Sequence, residues 1–148
     1  MVKDLLNEAL VDVNVEAKDW EEAIRAGGKL LLDAGFIKAP FIDEMVETVH
    51  EFGPYIVIEK GIALAHAEPS ENVLKIGIAM HTLKDPISFG NEDNDPVKLV
   101  ISLCATDADS HVEAIGDLAN IMMSDDAMNK IFEAKTKEDI LNAISSVN

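Results

Sequence analysis

The stretch GIALAHAEP, residues 61–69, delivers His66 to the end of a run of small and apolar side chains, Gly61 to Ala65, that reads as a strand. With an ordinary pKa near 6.5, an imidazole near neutral pH can serve as an unprotonated nucleophile, a base or a metal ligand. The small neighbours Ala63, Ala65 and Ala67 leave room for something bulky to approach. Taken alone, a histidine behind an apolar strand is more often a loop or core residue than a reactive one. The chain has 4 histidines, and two of the others alter that weighing. His81 lies in KIGIAMHTL, which reads as a neighbouring strand, and His111 stands at the start of a helix. If the three elements converge, a phosphoryl group on His66 gains the unpaired N–H groups and partial positive charge of a helix N-terminus beside His111. The plainer reading makes His111 the top of an apolar helix stripe, His81 a strand residue satisfied by a hydrogen bond, and His50 a surface residue.

Rival chemistries have less behind them. The chain has no Walker-type or dinucleotide glycine pattern and no HxxxH or CxxC pair. Zinc on His66, His81 and His111 would meet the three-ligand minimum of a catalytic site, without any supporting spacing. The acidic run NEDNDP, residues 91–96, lacks the glycine and closing glutamate of an EF-hand and reads as a solvated loop. No cofactor and no metal are expected.

The elements that must position these histidines follow from hydrophobic periodicity. A short helix over the first ten residues precedes VDVNV, a strand with Val11, Val13 and Val15 inward. Helical spacing runs from Lys18 to Ala34 and stops at Gly35; a second helix runs from Pro40 to Phe52 and stops at Gly53-Pro54. Tyr55 to Leu64 is β-rich, as two strands or one bulged strand. In KIGIAMHTL, Ile76, Ile78 and Met80 alternate with Gly77, Ala79 and His81, giving a strand with one face of mostly small residues. Asp85-Pro86 predicts a turn and Ile87 to Phe89 a short edge strand. Val97 to Ala105 is almost continuously apolar, as a central strand covered on both faces would be. Ser110 with Glu113 predicts a capping box that makes His111 the first helical residue, on the inward stripe with Ile115, Leu118, Ala119 and Met122. Ser124 or Asp125 opens a short helix, and Thr136 with Asp139 caps the last. The expectation is an α/β fold, a mixed central sheet of about five strands flanked by helices, in a single domain spanning 1–148.

The totals agree. A length of 148 residues suits one domain, and 48% apolar with 27% charged residues is ordinary for a globular chain. A formal charge of -16 argues against a nucleic-acid partner, whose phosphates need Lys and Arg, and favours a basic one. Cys104 is the 1 cysteine and lies in an apolar run, which predicts a buried, inert thiol. The N-terminal acidic residues do not resemble a secretory signal, and no apolar run approaches the ~20 residues of a membrane span, so a cytoplasmic protein without membrane insertion is expected.

The motifs GPYIVIEKGIALAHAEP and PVKLVISLCATDADSHVEAIGDLANIM, with PISF between them, resemble the enzyme IIA component of the sugar phosphotransferase system, in its mannitol/fructose class. The similarity runs from about residue 5 to the C-terminus. KDW near Trp20, GPY at Gly53 to Tyr55 and NEDNDPV at 91–97 look most like the ascorbate-type branch. That resemblance implies a phosphoryl relay. The phosphocarrier HPr donates to the strand-end histidine, here His66, and the group passes to a cysteine or histidine of the cognate enzyme IIB, which serves a membrane IIC permease. It also implies that a second histidine, here His111, lies beside the first. Family members usually carry proline before the reactive histidine and often glycine after it, where this chain has Ala65 and Ala67; many carry an arginine in the second helix, where spacing gives His50. A regulatory phosphoacceptor that signals by docking to a partner is the contrasting reading.

Overall fold

A computed structural model describes residues 2–147. Five strands form one mixed sheet: β1 Val11–Val15, β2 Val57–Glu59, β3 Ile62–Ala65, β4 Gly77–Ile87 and β5 Val97–Cys104, in the order β1-β4-β5-β3-β2. β1 runs parallel to β4 and β3 parallel to β5, while β4–β5 and β2–β3 are antiparallel. The six helices are α1 Val2–Leu5, α2 Trp20–Asp33, α3 Pro40–Phe52, α4 Ala108–Met122, α5 Asp125–Phe132 and α6 Lys137–Ser145. The expected class is the one observed, with the apolar run of β5 at the centre of the sheet.

The face of small residues on β4 is what lets α2 close on the sheet. Ala79 pairs with Ser102 and His81 with Val100, so these side chains share one face. Gly27 of α2 lies so near that an added Cβ would stand 2.1 Å from Ser102 Oγ and 3.2 Å from His81 Cε1. A methyl group there would push the helix off the sheet. The next residue, Gly28, meets Ile42 and Met45 of α3 in the same way, so a glycine pair stacks sheet, α2 and α3. The alternate residues Ile78, Met80, Ile101 and Leu103 are buried on the opposite face, where α1 packs against β4 and α6 against β1.

Helix ends follow local chemistry. Asp19 caps α2, accepting from the Glu22 N–H, so the helix begins two residues later than Lys18. It ends as foreseen at Gly35, whose φ of 84° lets the Phe36 N–H reach the Leu31 carbonyl at 3.0 Å. α3 has the expected bounds, and the Thr136–Asp139 capping box of α6 is present on both sides. Ser124 caps α5.

Three expectations need correction. The first helix is only Val2–Leu5, followed by a 3-10 turn at Glu8–Leu10 that Asn7 caps. In β1 only Val11 is fully buried, because Asn14 takes a φ of 52° and the register with β4 slips between Asp12 and Val15. Asp85-Pro86 is not a turn, and Ile87 to Phe89 is no separate strand: β4 continues to Ile87. β1 has ended by Leu83, so no strand on that side needs the missing Pro86 N–H, and the ladder with β5 shifts register between Thr82 and Ile87. Of the two readings of Tyr55–Leu64 the two-strand one holds: β2 and β3 are joined through Gly61, with a 3-10 turn at Pro54–Ile56 before them.

His81 is a buried strand residue whose ring faces the Ala23 backbone of α2 without a hydrogen bond of good geometry, and the buried Ser102 hydroxyl has none either. Burial lowers its pKa to about 4, against the opposing pull of the Ala23 backbone and Asp12. The folded value lies below the unfolded one, so the unfolded chain binds more protons between pH 6.5 and 4. Stability is complete above that window and falls through it as pH drops, by on the order of 3 kcal/mol. Urea unfolding midpoints of the parent should therefore fall more steeply from pH 6.5 to 4 than those of His81→Met; parallel curves would show that His81 does not titrate on unfolding.

Candidate functional site

β3 ends at Ala65, and the next residue, His66, leaves the sheet half-buried. Its Nδ1 lies 2.8 Å from the carbonyl oxygen of Leu64. A carbonyl only accepts, so Nδ1 carries the proton and, in the neutral ring, the lone pair sits on Nε2. Leu64 is held in register with Ile101 of β5, so the oxygen that selects this tautomer belongs to the sheet itself.

The second histidine comes from α4. This helix begins at Ala108, capped by Asp107, whose Oδ1 accepts from the Ser110 N–H at 2.7 Å while its Oδ2 accepts from the Ser110 hydroxyl at 3.2 Å. Ser110 is therefore not the cap, and His111 is the fourth helical residue, not the first. Asp107 and Ser110 each carry an oxygen that can accept at a cap; the Asp107 carboxylate prevails because it holds two groups of Ser110 at once. The buried residues of α4 are Ala114, Leu118 and Ile121; of the expected stripe only Leu118 is fully buried, while Ile115, Ala119 and Met122 are half-buried, as is His111, three residues before Ala114.

The rings of His66 and His111 come together at a centroid separation of 5.5 Å, tilted by 55°. Nδ1 of His111 is buried without a partner. Desolvation first, and the neighbouring His66 second, hold the His111 pKa below its ordinary value. In its neutral form the His66 ring presents an Nε2 lone pair beside the second ring and near a helix N-terminus, where negative charge is welcome.

His81 does not join this pair in the role the sequence allowed: it lies in the sheet under Gly27 of α2. Among the described residues no group of three or more His, Cys, Asp or Glu side chains gathers to hold a metal ion, so the His66, His81 and His111 zinc set is not assembled. His50 also lies elsewhere. Its ring packs edge-on to Trp20 at 5.2 Å, with Nε2 4.0 Å from Glu21, on the side of α3 that meets α2. The residues of α3 that face the segment after His66 are instead Glu44, Glu47, Thr48 and Glu51, lining with Phe52, Ala67 and Ser70 a groove of about 360 Å³. Cys104 is buried, and desolvation pushes its thiol up to about 12, so the inert reading of the sequence stands.

Comparison with known proteins decides what this pair belongs to. Residues 4–147 match the family described as "Phosphoenolpyruvate-dependent sugar phosphotransferase system, EIIA 2". The chain belongs to that EIIA family. EIIA components are phosphotransferases that carry a phosphoryl group on histidine, and this chain is one of them. It is 33% identical over 139 residues to the ascorbate-specific PTS system EIIA component of Escherichia coli (strain K12), covering 93% of this chain and 90% of that protein. Its fold superposes on the mannitol-specific cryptic phosphotransferase enzyme IIA CmtB from Escherichia coli with a TM-score of 0.87 at 33% identity, covering 98% of this chain and 99% of that one. A further match in fold, TM-score 0.84 at 22% identity over 95% and 96% of the two chains, is the Escherichia coli mannitol enzyme IIA in complex with phosphorylated enzyme IIB. No helix among the described residues is long and apolar enough to cross a membrane.

Two parts of the site escaped sequence reasoning. The Leu64 carbonyl is a backbone group and leaves no side-chain signal. Asp107 does leave one, being a cap-forming residue three before Ser110. Replacing Asp107 by alanine should lower the melting temperature by roughly 2–4 °C and move the His111 ring resonances, since the cap sets where α4 begins. Unmoved His111 resonances in a correctly folded variant would mean that the cap does not position that ring.

Proposed function

We propose that this chain is a cytoplasmic phosphoryl-relay subunit in which His66 accepts a phosphoryl group from HPr on Nε2 and passes it to an enzyme IIB, and through it serves a membrane IIC permease. The observation that carries the reading is the paired geometry of the two rings, with Nδ1 of His66 committed to the Leu64 carbonyl and Nε2 left as the nucleophile. The Nε2 lone pair attacks the phosphorus of the donor's phosphohistidine in line; the donor's N–P bond breaks and its electron pair returns to the donor ring. As the Nε2–P bond forms, the His66 ring gains positive charge, and the Nδ1–H bond to Leu64 strengthens to disperse it. His111 donates to the phosphoryl oxygens as charge spreads over them. The reverse sequence delivers the group to a cysteine or histidine of the enzyme IIB.

Several features support two successive partners at one site. Val112, the residue after His111, is 68% exposed and Phe52, in the groove with Ala67, is 58% exposed, so each offers an apolar contact to a partner. The overall charge of -16 favours encounter with basic surfaces. For the sugar, the relatives named ascorbate-specific favour ascorbate or a related sugar.

Incubation with phosphoenolpyruvate, enzyme I and HPr, followed by intact mass under non-acidic conditions, should show one phosphate added to the parent and none to His66→Ala. His111→Ala should retain some labelling and slow onward transfer by ~10-fold to 100-fold. Equal labelling of His66→Ala and the parent would refute the site, and phosphorus–nitrogen coupling to Nδ1 instead of Nε2 would refute the tautomer argument. Phosphorylation of His66 also gives His111 a dianionic neighbour, which favours the protonated ring. The His111 titration followed by NMR should therefore move to higher pH on phosphorylation of His66; an unmoved or lower midpoint would remove His111 from the phosphoryl group's surroundings.

A further inference from the structure

The segment after His66 has no regular structure until the isolated bridge between Val73 and Ile37, and with Ala65 and Ala67 flanking the histidine the backbone there is not stiffened by proline. What holds it is one side chain of α3. Glu44 Oε2 accepts from the Ser70 hydroxyl at 3.1 Å, and its two oxygens accept from Asn72 Nδ2 at 3.4 Å each. The Ser70 hydroxyl in turn accepts from the Asn72 N–H at 3.2 Å, and the Val73 N–H reaches the Ser70 carbonyl at 3.1 Å. The far end is tied down where the Lys38 N–H meets the Asn72 carbonyl at 2.8 Å. Glu44 is half-buried, so these bonds are worth more than exposed ones.

From this geometry we infer that Glu44 is a positioning residue for the phosphoryl transfer: by clamping Ser70 and Asn72 it fixes the path of residues 66–72 and so the aim of the His66 ring. The inference rests on His66 being the phosphoryl carrier. The clamp acts four residues from the reacting ring and on the opposite side of it from the Leu64 carbonyl in sequence. The ring is thus fixed from the strand before it and from the loop after it. Glu44 touches no reacting atom. A nucleophile displaced by about an ångström loses up to 100-fold in rate without any loss of partner binding, because alignment matters only at the transition state.

The test uses the full chain, with phosphorylated HPr as donor. In Glu44→Ala, kcat for phosphorylation of His66 should fall ~10-fold to 100-fold, while KM for phospho-HPr stays within about threefold of the parent. Glu44→Gln keeps an oxygen that can accept from both Ser70 and Asn72, and should recover to within about threefold of the parent kcat. The His66 Nδ1 proton, which the Leu64 bond makes visible in nitrogen–proton NMR, should be present in the parent and Glu44→Gln and broadened in Glu44→Ala. An unchanged kcat and an unchanged Nδ1 proton in Glu44→Ala would overturn the inference, as would a rise in KM that accounts for the whole effect. If Glu44→Ala does not fold, Ser70→Ala, which removes the bridging hydroxyl alone, faces the same two readouts. Failure of the carrier reading itself looks different: the parent then takes up no phosphate, or His66→Ala takes up as much.

Discussion

A single hydrogen bond, from Nδ1 of His66 to the carbonyl oxygen of Leu64, determines how the rest of the site can work. Imidazole has two nitrogens of similar basicity, and without a partner either can hold the proton. An acceptor that can only accept removes the choice and leaves Nε2 as the lone-pair nitrogen. The acceptor is part of β3, itself paired to the central strand β5, so the ring's chemistry is referred to the most rigid layer of the fold. A side-chain acceptor on a surface loop would impose the same tautomer with less constraint on where the ring points.

The other half of the pair depends on helix geometry. His111 reaches the site because Asp107 starts α4 where it does, and because Ala114 and Leu118 seat the helix on the apolar side of the sheet. The two histidines therefore arrive from different layers, one from the sheet and one from its cover. Their relative placement depends on the stacking of those layers. On the opposite face, the glycines of α2 allow a separation that any larger residue would prevent, at the expense of burying His81 and Ser102 without hydrogen bonds of good geometry. The close approach and the acid-sensitive histidine are consequences of the same packing.

How much of this could be read along the chain varies with the range of the interaction. α3 has the bounds that Pro40 and Gly53-Pro54 dictate, and the α6 capping box is a contact over three residues; both were legible because their determinants are local. The place of β5 at the centre of the sheet was legible from its unbroken apolar run. The passage of β4 through Pro86 was not, because whether a proline ends a strand depends on whether a neighbour still needs its N–H. His50, read from the sequence as a surface residue, is exposed and packs against Trp20. The resemblance set it where many family members carry an arginine, while the residues of α3 that line the groove with the segment after His66 are Glu44, Glu47, Thr48 and Glu51. Glu44 itself was invisible, since its partners lie 26 and 28 residues away and none of the three belongs to a recognisable motif.

By itself the sequence determined the alternation of strands and helices, the reactive residue type at the end of the third strand, and a helix opening near the second histidine. These follow from periodicity and capping, which act over a few residues and need no knowledge of what lies across the sheet. Tertiary structure alone decided that the rings of His66 and His111 stand 5.5 Å apart, that His81 and His50 do not share their site, and which nitrogen of His66 is free. Those are questions of distance and direction between segments far apart in the chain, and distance enters only when the layers have packed.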